Sequence, residues 1–98
     1  MARLSPEALA TLQPLLVALR TVADLTETSP AIFYFRRIPM LHFHNTAQGL
    51  VADLKCVVPT LSGFDRMNIS TEAAQKKLVK EAASRCAILA AARPAKRV

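Results

Sequence analysis

Apolar residues recur at two different spacings along this chain, and the spacing separates helical from extended regions. Near the N-terminus they recur every three or four residues, the period of one helix face, in a stripe formed by Leu9, Leu12, Leu16, Leu19 and Ala23. Ser5 fits an N-cap and Pro6 a first helical position. The pattern predicts a helix over about 6–25, kinked or restarted near Pro14, because proline removes a backbone donor. The polar segment TETSP is interpreted as the end of this helix, since the residue before Pro30 avoids helical angles.

From residue 31 onward the apolar period shortens to two. Four stretches are rich in β-branched and aromatic residues, AIFYFRR, IPMLHFHN, GLVADLKCVV and FDRMNIS, and this composition is typical of β-strands. Short connections separate them, which favours an antiparallel meander over parallel βαβ units. A four-stranded antiparallel sheet is therefore predicted over about 31–69.

The last third of the chain returns to the helical period. One face carries small and apolar side chains, namely Ala74, Leu78, Ala82, Cys86 and Leu89. With Ser70 as N-cap, we predict a helix over about 71–92, followed by a mobile basic tail at 93–98. The order helix, four-stranded antiparallel meander, helix predicts a single α+β domain (residues 1–98). Its two amphipathic helices would cover one sheet face, giving a two-layer sandwich.

Residues 39–56, PMLHFHNTAQGLVADLKC, allow the strand register to be predicted. Residues opposed across an antiparallel pair lie on the same face of the sheet. Leu41 and Phe43 share one face of their strand. They can be buried together with Ala52 and Leu54 only if opposed residue numbers sum to 95, with TAQG as the connection. A slip of one residue would put an apolar set into water, so the register is well specified.

The same register places polar residues on the other face. His42 lies opposite Asp53, Met40 opposite Lys55 and His44 opposite Val51. We expect His42, His44, Asp53 and Lys55 to be binding residues on this exposed face.

Phe33 and Phe35 in the preceding strand are less well placed, because the RRIP turn does not fix which face they occupy. If they join the histidines, the surface has too much apolar area to stay bare. Phe33 or Phe35 would then be apolar anchors for a homodimer or for a ligand.

The paired histidines raise three interpretations. His42, His44 and Asp53 form an N,N,O ligand set of the kind that suits Zn²⁺ or Fe²⁺ with open positions. A His–Asp pair can also hold an imidazole as a general base, although Cys56 is expected to face the core and so gives His42 no neighbouring nucleophile. The third interpretation is an ordinary cross-strand contact worth about 0.2–1 kcal/mol. Beyond a possible divalent metal, the sequence indicates no cofactor.

The charge is concentrated in one part of the chain. Residues 1–70 contain six Lys and Arg against five Asp and Glu, whereas residues 71–98 contain seven against two. A basic face on the second helix, with Lys76, Lys77 and Lys80, allows electrostatic nucleic-acid binding as a further alternative. The other interpretation is a solvated helix face.

Three further features of the sequence bear on the cellular location of the protein. No apolar run approaches the roughly 20 residues needed to cross a bilayer. The start MARLSPEALATLQ lacks the features of a signal peptide. The two cysteines, Cys56 and Cys86, make no disulfide framework. We therefore expect a cytoplasmic protein with no membrane partner.

The strings PAIFYFRRIPMLHFHNTAQGLVADLKC and FDRMNIST resemble a family of small bacterial conserved-hypothetical proteins. Its members carry a Pro-x-x-Phe-Tyr segment, then Leu-His-Phe-His, and then an Ala-Asp-Leu-Lys type of strand. The similarity covers residues 30–71. The helix–sheet–helix order is more loosely similar to the MmcQ/YjbR-type domains, whose fold resembles that of CyaY-like proteins. The resemblance implies one domain and the importance of the hairpin, and it implies no reaction.

Together these observations favour a non-enzymatic binding module over an enzyme. The expected partner is a second copy of the chain, another protein or a small ligand, bound at the exposed sheet face. The alternatives are a metal-assisted or His–Asp acid–base enzyme on the same face, and nucleic-acid binding through the basic C-terminal helix.

Overall fold

A computed structural model describes residues 4–92 of the chain. The described part combines helices with one antiparallel sheet, so the predicted α+β class is confirmed. Residues 1–3 and 93–98 lie outside it, and so does the predicted mobile tail. The elements in chain order are α1 (Pro6–Thr11), α2 (Gln13–Leu19), β1 (Leu25–Ser29), β2 (Ile32–Phe35), β3 (Ile38–Thr46), β4 (Gly49–Lys55), β5 (Phe64–Asn68) and α3 (Glu72–Ala92).

The first helical region is shorter than predicted and is divided in two. The Ser5 hydroxyl accepts the backbone N–H of Ala8 at 3.1 Å, which is the N-cap contact that the sequence predicted. The helix restarts around Leu12, two residues before Pro14. Pro14 has no backbone N–H, and this interrupts the hydrogen-bond ladder of the helix. The second segment ends at Leu19, so the prediction of helix as far as residue 25 is wrong.

The prediction of four strands is also wrong, because TETSP belongs mostly to a fifth strand. Strand β1 pairs antiparallel with β2 at the edge of the sheet. Leu25 is its only buried residue, so its sequence shows little of the alternation that marks a buried strand. Asp24 before it and Ala31 after it take left-handed conformations, with φ of 67° and 63°, and these reverse the chain at both ends.

The sheet has the order β1-β2-β3-β4-β5, with every neighbouring pair antiparallel. The predicted register of the β3–β4 hairpin is confirmed, since His42 lies opposite Asp53 and His44 opposite Val51. Pairing continues to Thr46 and Gly49, so the connection is two residues shorter than the predicted TAQG loop. Gly49 has φ of 106°, a conformation that residues with side chains rarely adopt.

The core lies between the sheet and the helices. Both phenylalanines of β2, Phe33 and Phe35, are fully buried there, so they are not the exposed anchors that the sequence suggested. The pairing explains this, because Phe33 lies opposite Leu41 and therefore shares its face. The core cluster contains Leu12, Leu15, Leu16, Leu19, Leu25, Ala31, Phe33, Phe35, Met40, Leu41, Phe43, Ala52, Leu54, Ile69, Leu78, Ala82, Cys86 and Leu89.

Met40 belongs to this core and not to the histidine face on which the alternation placed it. Phe33 pairs with Leu41 and Tyr34 pairs with Pro39, which leaves Met40 as an extra residue in β3. Such a β-bulge interrupts the strict alternation of side chains. The predicted contact of Met40 with Lys55 is therefore replaced by burial of Met40.

Helix α3 begins one residue later than predicted. The Thr71 hydroxyl, and not that of Ser70, accepts the backbone N–H of Ala74 at 3.1 Å. Farther along, Arg85 is half-buried and joins the helix to the sheet, because it donates to the Lys55 carbonyl at 2.9 Å and pairs with Asp65 at 2.9 Å. Among residues 4–92, no helix has the length and apolar character required to cross a membrane.

Candidate functional site

A row of opposed residues crosses four strands on the face turned away from the helices, here called the outer face. Ile32 pairs with His42, His42 with Asp53, and Asp53 with Arg66. His44, two residues along β3, projects to the same side as His42. Strand pairing therefore brings together two imidazoles, one carboxylate and one guanidinium that are up to 24 positions apart in the sequence.

The His–His–Asp cluster consists of His42, His44 and Asp53. One nitrogen or oxygen atom from each side chain lies close to the corresponding atoms of the other two. His42 Nδ1 lies 3.2 Å from His44 Nε2. Asp53 Oδ2 lies 2.9 Å from His44 Nε2 and 3.9 Å from His42 Nδ1. The side chains are 17%, 24% and 12% exposed, in the order His42, His44, Asp53. The cluster is thus half-buried but reachable from solvent.

Arg66 from the edge strand β5 completes the polar contacts of Asp53. Its Nε donates to Oδ1 at 2.8 Å and a terminal nitrogen donates to Oδ2 at 2.9 Å. A bidentate pair of this kind is among the stronger protein hydrogen bonds and fixes the orientation of the carboxylate. Since Arg66 itself is 57% exposed, it forms the solvent side of the site.

The surroundings shift the pKa values of Asp53 and His42. The hydrogen bond from Arg66 holds the pKa of Asp53 below its ordinary value, against the opposing effect of burial. Burial lowers the pKa of His42, with smaller opposing and supporting effects from Asp53, His44 and Arg66. At neutral pH Asp53 is therefore charged and His42 is neutral.

The close contact between the two ring nitrogens has a consequence for their hydrogens. Only one hydrogen fits between His42 Nδ1 and His44 Nε2. If His44 Nε2 carries it, that hydrogen points at the Asp53 carboxylate, and the lone pair of His42 Nδ1 faces the same point. In the other tautomer His44 Nε2 also presents a lone pair, and the two ring nitrogens and the Asp53 carboxylate then face one small volume as electron-rich atoms, an arrangement that a cation stabilises.

The spacing of these atoms is similar to that of the ligand atoms in a metal site. Two ligands that each lie about 2.1 Å from a zinc ion in tetrahedral geometry are about 3.4 Å apart. The three separations in the cluster, 2.9, 3.2 and 3.9 Å, lie on both sides of that figure. His42, His44 and Asp53 are also a set of side chains that could jointly ligate an ion by distance alone. Neutral imidazole and carboxylate are the protonation states that metal binding needs.

The position of Cys56 does not support the acid–base alternative. Burial and the nearby Asp65 carboxyl raise the pKa of the Cys56 thiol, and Asp65 pairs with Leu54, whose side chain is in the core. The thiol is therefore on the opposite face of the sheet from His42, as the sequence predicted, and no thiol–imidazole pair forms between them. Cys56 and Cys86 are both free cysteines.

Lys55 borders the cluster without joining it. It pairs with Phe64 across β4 and β5, and its ammonium lies 4.9 Å from the centre of the Phe64 ring. The same ring lies 5.1 Å from the His42 ring and is 40% exposed. Phe64 therefore takes the position of exposed aromatic neighbour that Phe33 and Phe35 were expected to fill.

Sequence reasoning missed Arg66 and Phe64. They are two residues apart in FDRMNIS, so their placement on one face of the strand could have been inferred. Their partners could not, because the long connection between β4 and β5 leaves the register of β5 open. No protein-family model, curated protein or solved structure matches the chain, so the family resemblance of the hairpin stays a prediction.

Proposed function

We propose that this chain is a small non-enzymatic binding module that holds a divalent transition-metal ion, with Zn²⁺ as the reference ion, on the outer face of its sheet. The ligands would be His42 Nδ1, His44 Nε2 and one carboxylate oxygen of Asp53. The observation that carries the proposal is the convergence of these three atoms, each within 4 Å of the other two.

The cluster is also prepared for the ion in two further ways. Burial keeps His42 neutral near neutral pH, so no proton has to leave this ring before it binds. Arg66 orients Asp53 through two hydrogen bonds, and a ligating carboxylate that also accepts hydrogen bonds is a common feature of metal sites. Three protein ligands leave a fourth position open, as in zinc sites that also bind a small ligand.

Zinc titration of the metal-free chain tests the proposal. We expect one ion per chain by calorimetry and simultaneous shifts of the imidazole resonances of His42 and His44. His42→Gln and His44→Gln should each weaken binding by about 100-fold or more, because even the loss of an outer-shell partner typically weakens metal binding by about 10–100-fold.

Asp24→Asn is a suitable control variant. Asp24 is an exposed acid whose contact with Arg36 is long, at 3.8 Å, so its loss should leave zinc affinity unchanged. Unchanged affinity in both histidine variants would contradict the proposal and would place the ion elsewhere on the chain.

Self-association is a second candidate, carried over from the sequence. It is supported by exposed apolar residues at the β4–β5 end of the sheet, where Val58, Leu61 and Phe64 are 70%, 44% and 40% exposed. Sedimentation of the wild-type chain and of Phe64→Ser across a range of concentrations tests it. A monomer at every concentration in both would contradict it.

The remaining sequence-based expectations are also proposals. Nucleic-acid binding is supported by the exposure of Lys76, Lys77 and Lys80 on α3, and it predicts an affinity that falls steeply with salt. We propose a cytoplasmic location on the sequence features alone. A metal-assisted or acid–base enzyme on the same face stays an alternative.

A further inference from the structure

The charges at the His–His–Asp cluster point to a second ligand, and this inference rests on the proposed metal binding. Asp53 is the only carboxylate in the cluster, and its charge is already balanced by Arg66. A divalent ion would add two positive charges to a half-buried site with no further acid among its partners. Uncompensated charge is unfavourable in such surroundings.

We infer that the metal-loaded site binds a small oxyanion, a carboxylate or a phosphate group. One oxygen of the anion occupies the open coordination position of the ion, and another accepts hydrogen bonds from Arg66. The anion restores charge balance in the site, and it supplies the ligand that His42, His44 and Asp53 leave missing.

The position of Arg66 favours this role. One of its terminal nitrogens lies 2.9 Å from Asp53 Oδ2, the same oxygen that lies 2.9 Å from His44 Nε2. The guanidinium therefore stands next to the point where the ligand atoms converge. Its planar fork of donors matches the geometry of carboxylate and phosphate groups, and it is 57% exposed, so it can turn part of that fork toward a ligand arriving from solvent.

Two further residues on the outer face suit the same ligand. Lys55 adds a positive charge beside the row of site residues, above the Phe64 ring. Phe64 contacts His42 and gives the site one apolar wall. An anionic group attached to a small organic ligand would meet both the charges and this wall.

Cobalt-loaded protein provides the test, because the visible absorption of Co²⁺ reports changes in its coordination. Acetate serves as the carboxylate probe, methyl phosphate as the tetrahedral probe and chloride as the halide control. At cobalt concentrations that saturate each variant, we expect acetate or methyl phosphate to change the spectrum saturably, and the stronger response identifies the preferred class. Arg66→Gln should weaken that anion by about tenfold or more, the loss expected for a charge-assisted hydrogen bond.

The matched control is Arg20→Gln, which removes the other bidentate arginine–carboxylate pair found in residues 4–92 and which should leave anion affinity unchanged. If the wild-type chain binds no cobalt, the metal proposal fails and this inference fails with it. If cobalt binds but neither probe changes the spectrum beyond the effect of chloride, only the oxyanion inference is overturned. Equal anion affinities of wild type and Arg66→Gln would also overturn it.

Discussion

Two bidentate arginine–carboxylate pairs lie on this sheet within residues 4–92, and they differ in what else the carboxylate contacts. Arg20 at the end of α2 binds Glu27 of β1 through two nitrogens, and Arg66 of β5 binds Asp53 of β4 in the same way. Both carboxylate side chains are little exposed, at 16% and 12%. In both, the hydrogen bond from arginine is the largest cause that lowers the pKa of the acid.

The remaining partners separate the two pairs. Glu27 also accepts the backbone N–H of Ala31 at 2.8 Å, at the turn where Ala31 takes a left-handed conformation. It therefore joins a helix to the β1–β2 hairpin. Asp53 instead contacts an imidazole nitrogen of His44, which in turn contacts His42. The Arg20–Glu27 pair thus has only structural contacts, whereas the two imidazoles beside Asp53 are the contacts on which the proposed metal site depends.

The largest expected difference between the pairs is in their response to zinc. Free zinc at 100 times the dissociation constant should raise the free energy of unfolding of the wild-type chain by about 2.7 kcal/mol. Glu27→Gln should keep this increase, and Asp53→Asn should lose most of it. Urea denaturation followed by circular dichroism measures both, since the chain has no tryptophan. An equal increase in the two variants would show that Asp53 takes no more part in zinc binding than Glu27 does.

Without metal, Glu27 should contribute more to the stability of the fold than Asp53. Glu27→Ala leaves the Ala31 N–H without its acceptor, and an unsatisfied buried donor costs about 1–3 kcal/mol. Asp53→Ala frees an arginine that is already well exposed, so water can replace the lost contact. We expect the greater loss of stability in Glu27→Ala, measured by urea denaturation in the presence of a chelator. A greater loss in Asp53→Ala would show that the His–His–Asp cluster is structural.

The sequence predicted the hairpin of the site because one face of it is buried. The apolar residues Leu41 and Phe43 admit a single register, and that register alone places His42 against Asp53. The same constraint is absent at the edges of the sheet. Strand β1 buries only one residue, so its polar sequence resembles a loop, and a buried-face pattern could not reveal it.

The residues that sequence reasoning misplaced all depend on connections and irregularities. The bulge at Met40 adds one residue to β3, and alternation counted along the strand fails at that point. The face of Phe33 depends on the β2–β3 turn, where Arg36 has φ of 57°. Arg66 comes to Asp53 only through the register of β5, which follows a long loop. Turn geometry of this kind has no single sequence signature.

Acid should weaken both pairs, and the sign follows from their lowered pKa values. Each carboxylate stabilises the fold above the pKa it has in the unfolded chain, and that contribution is lost as pH falls through its lower folded-state pKa. The ordinary values are 4.5 for Glu27 and 3.8 for Asp53, so the loss for Glu27 should begin at higher pH. Denaturation of wild type, Glu27→Gln and Asp53→Asn between about pH 6 and pH 3 compares them. Glu27→Gln should lose less stability than wild type in the upper part of this pH range, and Asp53→Asn in the lower part. Curves parallel to wild type would show that these two carboxylates do not cause the loss of stability in acid.

The smallest expected effect is a change in the pKa of His42, which lies beside the Arg66–Asp53 pair. Burial lowers the pKa of His42, while the negative charge of Asp53 raises it in part. Asp53→Asn removes that charge and should therefore lower the pKa of His42 further, whereas Glu27→Gln should leave it unchanged. Arg66→Gln should have the opposite sign, because Arg66 contributes to the lowering. Proton NMR titration of the metal-free variants resolves these shifts, and a His42 that responds equally to Glu27→Gln and Asp53→Asn would show that it senses net charge and not the neighbouring carboxylate.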